Sequence, residues 1–291
     1  GVNFLGGAVN ENMSVIGQRA QDITRLPAMN KHGYVAQVSN AADLDTDDYY
    51  VEFEANNGVS GAGSYEETVR PHNFDGSGSD PMLKGFNPAT MPHALINNRN
   101  GTFTFAKLDE ATANAANNDN YWKDRDVGDD VSNPFPTFTG HKIQQMFFHR
   151  NRLGFVSGEN IILSQPGSYF NFFIVSAISF SDDNPIDITV SDVKPAFINH
   201  VLPIQKGLMM FSDNGQFLLF TESDIFSPKT ARLKKLASYE CDSSIQPVDL
   251  GTSILFTSNV AAYARAFEAT IIDDDTPPQI IEQTRVVPEF L

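Results

Sequence analysis

The residue types that perform chemistry are present in this sequence, but not at the spacings that chemistry needs. The six histidines, His32, His72, His93, His141, His149 and His200, are dispersed. None pairs with another at metal-ligand spacing, and no His-Glu-x-x-His occurs. The dipeptide Gly-Lys is absent, which removes the phosphate-binding P-loop, and there is no Gly-x-Gly-x-x-Gly. Gly154-Phe155-Val156-Ser157-Gly158 places its serine one position late for a nucleophile elbow, inside a hairpin pattern rather than strand-turn-helix. The acidic run 182–187 has the look of a calcium loop. It lacks the central Gly and the distal bidentate Glu, so a turn is expected. Carboxylate pairs for glycoside hydrolysis mean nothing without geometry in a chain this acidic. The single cysteine, Cys241, allows no intrachain disulfide and no cysteine zinc site, and reads as a small core residue. No catalytic, cofactor-binding or metal residue is assigned, and no cofactor is expected.

The elements that would have to position a site are strands. The chain has 291 residues, 41% hydrophobic, with 23 Phe, enough for a large β-domain core. Charged residues are only 19%, yet the formal net charge is −16. The acids are scattered (Asp43, Asp45, Asp47 and Asp48; Asp129 and Asp130; Asp273, Asp274 and Asp275) rather than gathered in a tail. Non-specific grip on DNA or RNA needs a Lys/Arg surface, so this composition argues against it. No apolar run approaches the length of about 18 residues that spans a membrane, and no signal-peptide pattern is present. Gly1 in place of an initiating Met, and a strand-like final stretch, are expected of a segment cut from a longer chain.

A hairpin design recurs four times, in residues 91–105, 147–173, 207–220 and 251–264. In each, two apolar runs flank a turn rich in Gly, Asn, Asp or Ser. The anchors are Ile96, Phe155, Phe211 and Phe256, at spacings of roughly 59, 56 and 45 residues, the range of propeller blades. The Ser212-Asp213-Asn214-Gly215 turn resembles the Asp-box of sialidase-type propellers without its spacing or its aromatic. The fold class expected is all-β: a β-propeller of short antiparallel hairpin blades with a small inserted or appended β-domain.

The expected organisation is a lead-in segment at 1–31, a small β-domain and loop at 32–90, and blades at 91–291. In the small domain, 34–38 and 49–55 alternate apolar and polar residues. Asn57-Gly58 and Gly61-Ala62-Gly63 connect to a returning strand at 65–70. A short helix is expected at 14–25, a surface loop at 111–120, a strand at 186–190 and a helix-like stretch at 228–240. Arg150-Asn151-Arg152 is the strongest polar cluster. In a structural role Arg150 or Arg152 pairs with a carboxylate such as Glu159 or Asp126 and ties blades together; in a binding role it holds a partner's carboxylate or phosphate.

Longer motifs carry a family resemblance. In chain order, MPHALI (91–96) with NGTFTF (100–105), WKDRDVGDDVSNPFPTFTG (122–140), FFHRNRLGFVSGENIILSQPGSYFNFF (147–173), DDNPIDITVSD (182–192) and LMMFSDNGQFLL (208–219) resemble the tail tubular protein B family. These are the tail nozzle proteins of short-tailed, autographivirus-type phages. DYYVEFE (48–54) and ETV (67–69) match the stretch that precedes MPHAL in that family. The resemblance covers roughly residues 45–265.

It implies a structural virion protein of the tail: a homo-hexameric ring below the portal and the adaptor (tail tubular protein A). Tail fibres attach near the adaptor–nozzle junction, and double-stranded DNA passes through without specific binding. It also implies a β-propeller with appended domains, chains much longer than this one, and no catalytic motif. The candidate subunit or adaptor contacts are Trp122, Lys123, Asp124, Arg125 and Asp126 in the 122–140 loop, and Arg150 and Arg152. The alternatives are a carbohydrate-binding or glycoside-cleaving propeller of the tail, which needs a convergent carboxylate pair or an aromatic platform, and a protein-interaction hub.

Overall fold

The computed structural model describes residues 17–39, 48–71, 74, 84–115, 118–260, 263–270 and 279–285. The chain falls into two compact units. The first comprises Gly1–Lys84 with two returning segments, Arg125–Pro134 and Val175–Ser179. Its sheet is built of β1 (Arg19–Ala20), β2 (Met29–Lys31), β3 (Tyr34–Val38), β4 (Tyr49–Ala55) and β5 (Ser60–Thr68), in the order β1-β3-β4-β5-β2. Only the β1–β3 pair is parallel.

The alternation read in β4 sets one core. Tyr49 and Val51 pack with Leu26, Ala36 and Val38. Tyr50, on the opposite face, is also buried and meets Phe74 edge-on. The Glu67 carboxylate fastens the second returning segment: it accepts from the Ser176 hydroxyl and the Ala177 N–H, each at 2.7 Å. The connection between β4 and β5 is shorter than expected. Gly61 and Gly63 belong to β5, not to the turn, and a side chain at Gly63 would collide with the Glu54 carbonyl and the Phe53 ring.

The helix expected at 14–25 does not form in its described part. Residues 19–20 are a strand, and only a 3-10 turn, Ile23–Arg25, follows, started by the Asp22 carboxylate on the Thr24 N–H at 2.7 Å. Pro27 leaves no room to extend it, and pairing of β1 with β3 outweighs helix propensity.

The second unit begins with a two-stranded ribbon, β6 (Ala94–Asn97) and β7 (Phe103–Ala106). The loop expected at 111–120 opens instead as a short helix, α1 (Glu110–Ala115). Asp109 caps it, accepting the Thr112 N–H at 2.7 Å. The Lys107 ammonium and the Thr112 bonds hold the Asp109 carboxyl down at about 2.

Three four-stranded antiparallel meanders follow, each in sequence order. The first is β8 (Gln145–His149), β9 (Arg152–Ser157), β10 (Asn160–Leu163) and β11 (Ile186–Thr189). The second is β12 (Ile198–Ile204), β13 (Gly207–Ser212), β14 (Gln216–Thr221) and β15 (Ala231–Ala237). The third is β16 (Val248–Asp249), β17 (Ile254–Val260), β18 (Tyr263–Thr270) and β19 (Gln279–Glu282).

The repeat anchors Phe155, Phe211 and Phe256 occupy the second strand of each meander, and Ile96 lies in the ribbon. The helix-like reading of 228–240 is wrong: β15 is a strand paired with β14, because Leu233 is drawn onto the core between the first two meanders. Its lysines then line a sheet edge, a placement that discourages further strand pairing. Among the described residues no helix is long and apolar enough to cross a membrane.

Alternate side chains of the second strands feed different cores. In β13, Leu208 and Met210 join Val156, Ile161 and Phe217 on one side, while Met209 and Phe211 join Phe256 and Phe267 on the other. In β9, Leu153 and Phe155 meet Trp122, Phe138 and Phe172. Each such large apolar side chain contributes about 1.5–3 kcal/mol by leaving water. Gly154 is required where Phe147 lies across it: an added Cβ would sit 2.3 Å from that ring.

One polar clamp joins the first two meanders. The Gln145 side chain donates to the Val201 carbonyl at 2.9 Å and accepts the Val201 N–H at 2.6 Å, so an amide side chain does the work of a strand residue. Gln145→Leu leaves both Val201 groups unpaired in a fully buried position. It is expected to lower the unfolding free energy by about 1–3 kcal/mol, seen as a lower denaturant midpoint at unchanged slope. A midpoint equal to that of the unchanged protein would show that the clamp carries no stability.

Candidate functional site

Arg152 opens β9 and is 2% exposed. It meets no carboxylate at ion-pair distance. Its guanidinium donates instead to four backbone carbonyls: Ser164 and Asn184 at 2.8 Å, Asp182 and Phe226 at 3.2 Å. The planar fork of five N–H donors suits this, because it can gather loops arriving from several directions. The expected pairing with Glu159 or Asp126 does not occur. Glu159 is used elsewhere, accepting the Ala196 N–H at 2.9 Å. Burial lowers the Arg152 pKa, with the charge of Asp183 opposing.

The rest of the Arg-Asn-Arg cluster is a turn. Arg150 and Asn151 have φ of 47° and 59°, the left-handed pair that joins β8 to β9 in a two-residue hairpin. Asn151 is fixed from outside, its carbonyl accepting the Gly167 N–H at 2.8 Å and its side chain the Tyr169 hydroxyl at 2.7 Å. Arg150 is exposed and lies 5.5 Å from the centre of the Phe226 ring. A cavity of about 240 Å³ beside it is lined by Arg150, Arg152, Asp182, Asp183, Asp224 and Phe226. Residues 182–184 of the 182–187 run form a turn there and Ile186 and Asp187 begin β11: the Asn184 N–H bonds to the Ser181 carbonyl, and the Asp182 and Asn184 carbonyls face the Arg152 guanidinium rather than a metal ion.

The 122–134 stretch divides between the two units. Trp122 is 4% exposed in the aromatic cluster of the second unit, so it offers no platform for a sugar. Lys123 is held by Asp119 and lies over Tyr121. In the first unit Arg125 is 1% exposed, donating to the Asn133 carbonyl at 2.8 Å and pairing with Asp130 at 2.8 Å. Asp124 and Asp126 face solvent. Sequence reasoning missed the interior roles of Arg125 and Gln145, and nothing in the local pattern marks them: an Arg between two Asp reads as a solvated face.

The remaining reactive groups are structural. Ser157 is buried and donates to the Lys142 carbonyl at 3.1 Å, so it is no nucleophile. Burial pushes the Cys241 thiol up to about 12, leaving it protonated and inert. Asp187 holds the Thr137 N–H and hydroxyl at 2.8 and 2.7 Å. Among the described residues no three His, Cys, Asp or Glu converge as a metal site. His149, opposite Arg152, has a buried Nε2 without a hydrogen-bond partner, and burial, aided by the Arg150 charge, lowers its pKa to about 4.

Two outcomes follow from this neighbourhood. Arg152→Met strips four carbonyls, three of them buried, of their donor and is expected to cost about 3–5 kcal/mol of stability, with Arg152→Lys recovering only part. Calorimetry showing Met and Lys alike, and neither destabilised, would contradict the four-carbonyl account. His149 is neutral in the folded state while the unfolded side chain titrates near 6.5. The unfolded chain therefore binds the extra proton between about pH 6.5 and 4, and stability falls as pH drops through that window. Against His149→Phe, the difference in unfolding free energy should shrink with acidification across that window; a difference independent of pH would refute it.

Comparison with known proteins supplies the family. The chain matches the bacteriophage nozzle protein family over residues 2–291. It is 30% identical over 286 residues to the tail tubular protein gp12 of Escherichia phage T7, an alignment that takes in 98% of this chain and 33% of that relative. The chain thus spans about a third of the length of the relative it matches. With its all-β meanders and with polar groups spent on internal clamps, the chain belongs to the bacteriophage nozzle protein family.

Proposed function

We propose that the chain is a structural subunit of the tail nozzle of a short-tailed phage, one of six copies in a ring that forms the distal conduit for double-stranded DNA on its way into the host. The observation that carries this reading is the family match across the whole chain. The three stacked meanders support the finer fold assignment, a β-propeller whose blades are four-stranded sheets related through their second strands. The first unit is then the appended β-domain. The partners are the tail adaptor above the ring and the tail fibre near their junction. Within the loops assigned to subunit or adaptor contact, Lys123, Asp124, Asp126 and Arg150 supply the accessible groups, while Trp122, Arg125 and Arg152 hold the loops in shape from within.

The charge suits a conduit. Each phosphate gripped by Lys or Arg would act as a brake on a moving duplex, released at a salt-dependent cost. A net charge of −16 repels the duplex and keeps it sliding. Phage carrying Lys in place of exposed carboxylates, tested in sets such as Asp182 with Asp183 and Glu222 with Asp224, should include at least one set that slows DNA ejection, most strongly at low salt. Ejection that stays the same for every set at every ionic strength would eliminate the repulsive lining.

A further inference from the structure

The β6–β7 ribbon is anchored at its base and exposed beyond it. Met91 and Ala94 pack into the aromatic cluster with Trp122 and Phe155. Outward from there, Leu95 pairs with Phe105 and Asn97 with Phe103. Alternate strand positions share a face, so Leu95, Phe103 and Phe105 form one apolar surface. They are 67%, 61% and 71% exposed. The His93 ring stacks on Phe105 at 5.3 Å without closing the surface. Both outer edges of the ribbon are unpaired among the described residues. A two-stranded ribbon of this kind is marginal in water, and exposed aromatic strands of this sort mark a contact surface.

Charge selects the occupant. Two copies of a chain at −16 repel over most of their surface. No Asp or Glu occurs between Asp80 and Asp109, and Arg99 stands exposed in the turn that joins β6 to β7, while Lys107 at the base is paired with Asp109 at 2.7 Å. The ribbon therefore presents apolar side chains and an exposed guanidinium, with no acid of its own, to an acidic neighbour, and another copy is one.

We propose that the β6–β7 ribbon is the arm by which one copy grips the next, its Leu95, Phe103 and Phe105 face buried against a second copy of this chain. This rests on the reading of the chain as a ring subunit and names the surface that closes the ring. A ring contact joins two different patches, so one projecting arm per copy suffices.

The test uses the full-length protein, with native mass spectrometry and light scattering across a concentration series. Leu95→Ser, Phe103→Ser and Phe105→Ser combined should weaken assembly by more than about tenfold, as loss of a buried aromatic anchor does, at an unchanged unfolding midpoint. A photocrosslinking benzoylphenylalanine at position 103, in the otherwise unchanged protein, should yield covalent products between copies; this second measurement decides the matter if the triple variant fails to fold. Assembly of the triple variant at the same concentrations as the unchanged protein, or crosslinks confined within one chain, would overturn the arm while leaving the ring intact. An unchanged protein that stays monomeric at every concentration would overturn both.

Discussion

Two strands buried on both faces govern the second unit. Every residue of β9 and β13 is buried, so each strand must have a sheet layer or an aromatic cluster on either side. A solvated antiparallel strand needs only one apolar face. The sequence of β13, Gly-Leu-Met-Met-Phe-Ser, is apolar without alternation, and its alternate side chains divide between two cores. Stacking is the arrangement that removes both faces from water at once. Phe147 lying across Gly154 belongs to the same constraint, since the close approach of β8 to β9 leaves no space for a side chain there.

Stacked sheets leave loops crossing their ends, and buried backbone groups in those loops need partners. This chain supplies them with long side chains turned inward. Arg152 collects four carbonyls, Arg125 holds the Asn133 carbonyl, Gln145 bridges two sheets, and Glu67 fastens a segment more than a hundred positions away. The consequence reaches the surface. Two of the chain's 20 cationic side chains are spent inside, which leaves an exterior still more dominated by carboxylates. A fold that resolves its internal polar demands in this way also produces a surface unsuited to gripping a polyanion.

A structural tail protein works by shape and contact, so the residues that matter are those that reach other molecules. Membership in the family fits a chain whose buried serine, thiol and histidine are all committed to packing or to internal bonds. The exposed ribbon is the exception to that economy, since nothing within the described chain covers its apolar face.

The sequence by itself determined the all-β class, the first three hairpins, the acidic balance and, through long ordered motifs, the family; in the fourth hairpin Ser258 and Asn259, which read as its turn, are strand residues of β17 paired with Arg265 and Ala264. These are local or additive properties: apolar runs, turn residues and charge counts do not depend on what packs where. Tertiary structure decided the rest. Residues 228–240 look helical until Leu233 is pulled into a core and the stretch becomes a strand. Residues 19–25 are drawn off a helix by pairing with β3. Arg150 and Arg152 are equivalent in the sequence, yet one lies exposed in a turn and the other, a strand residue paired with His149, bonds four carbonyls from two connections, those between β10 and β11 and between β14 and β15. Partners as distant along the chain as Phe226 from Arg152 are chosen by the stacking of the sheets, and no window of sequence contains them.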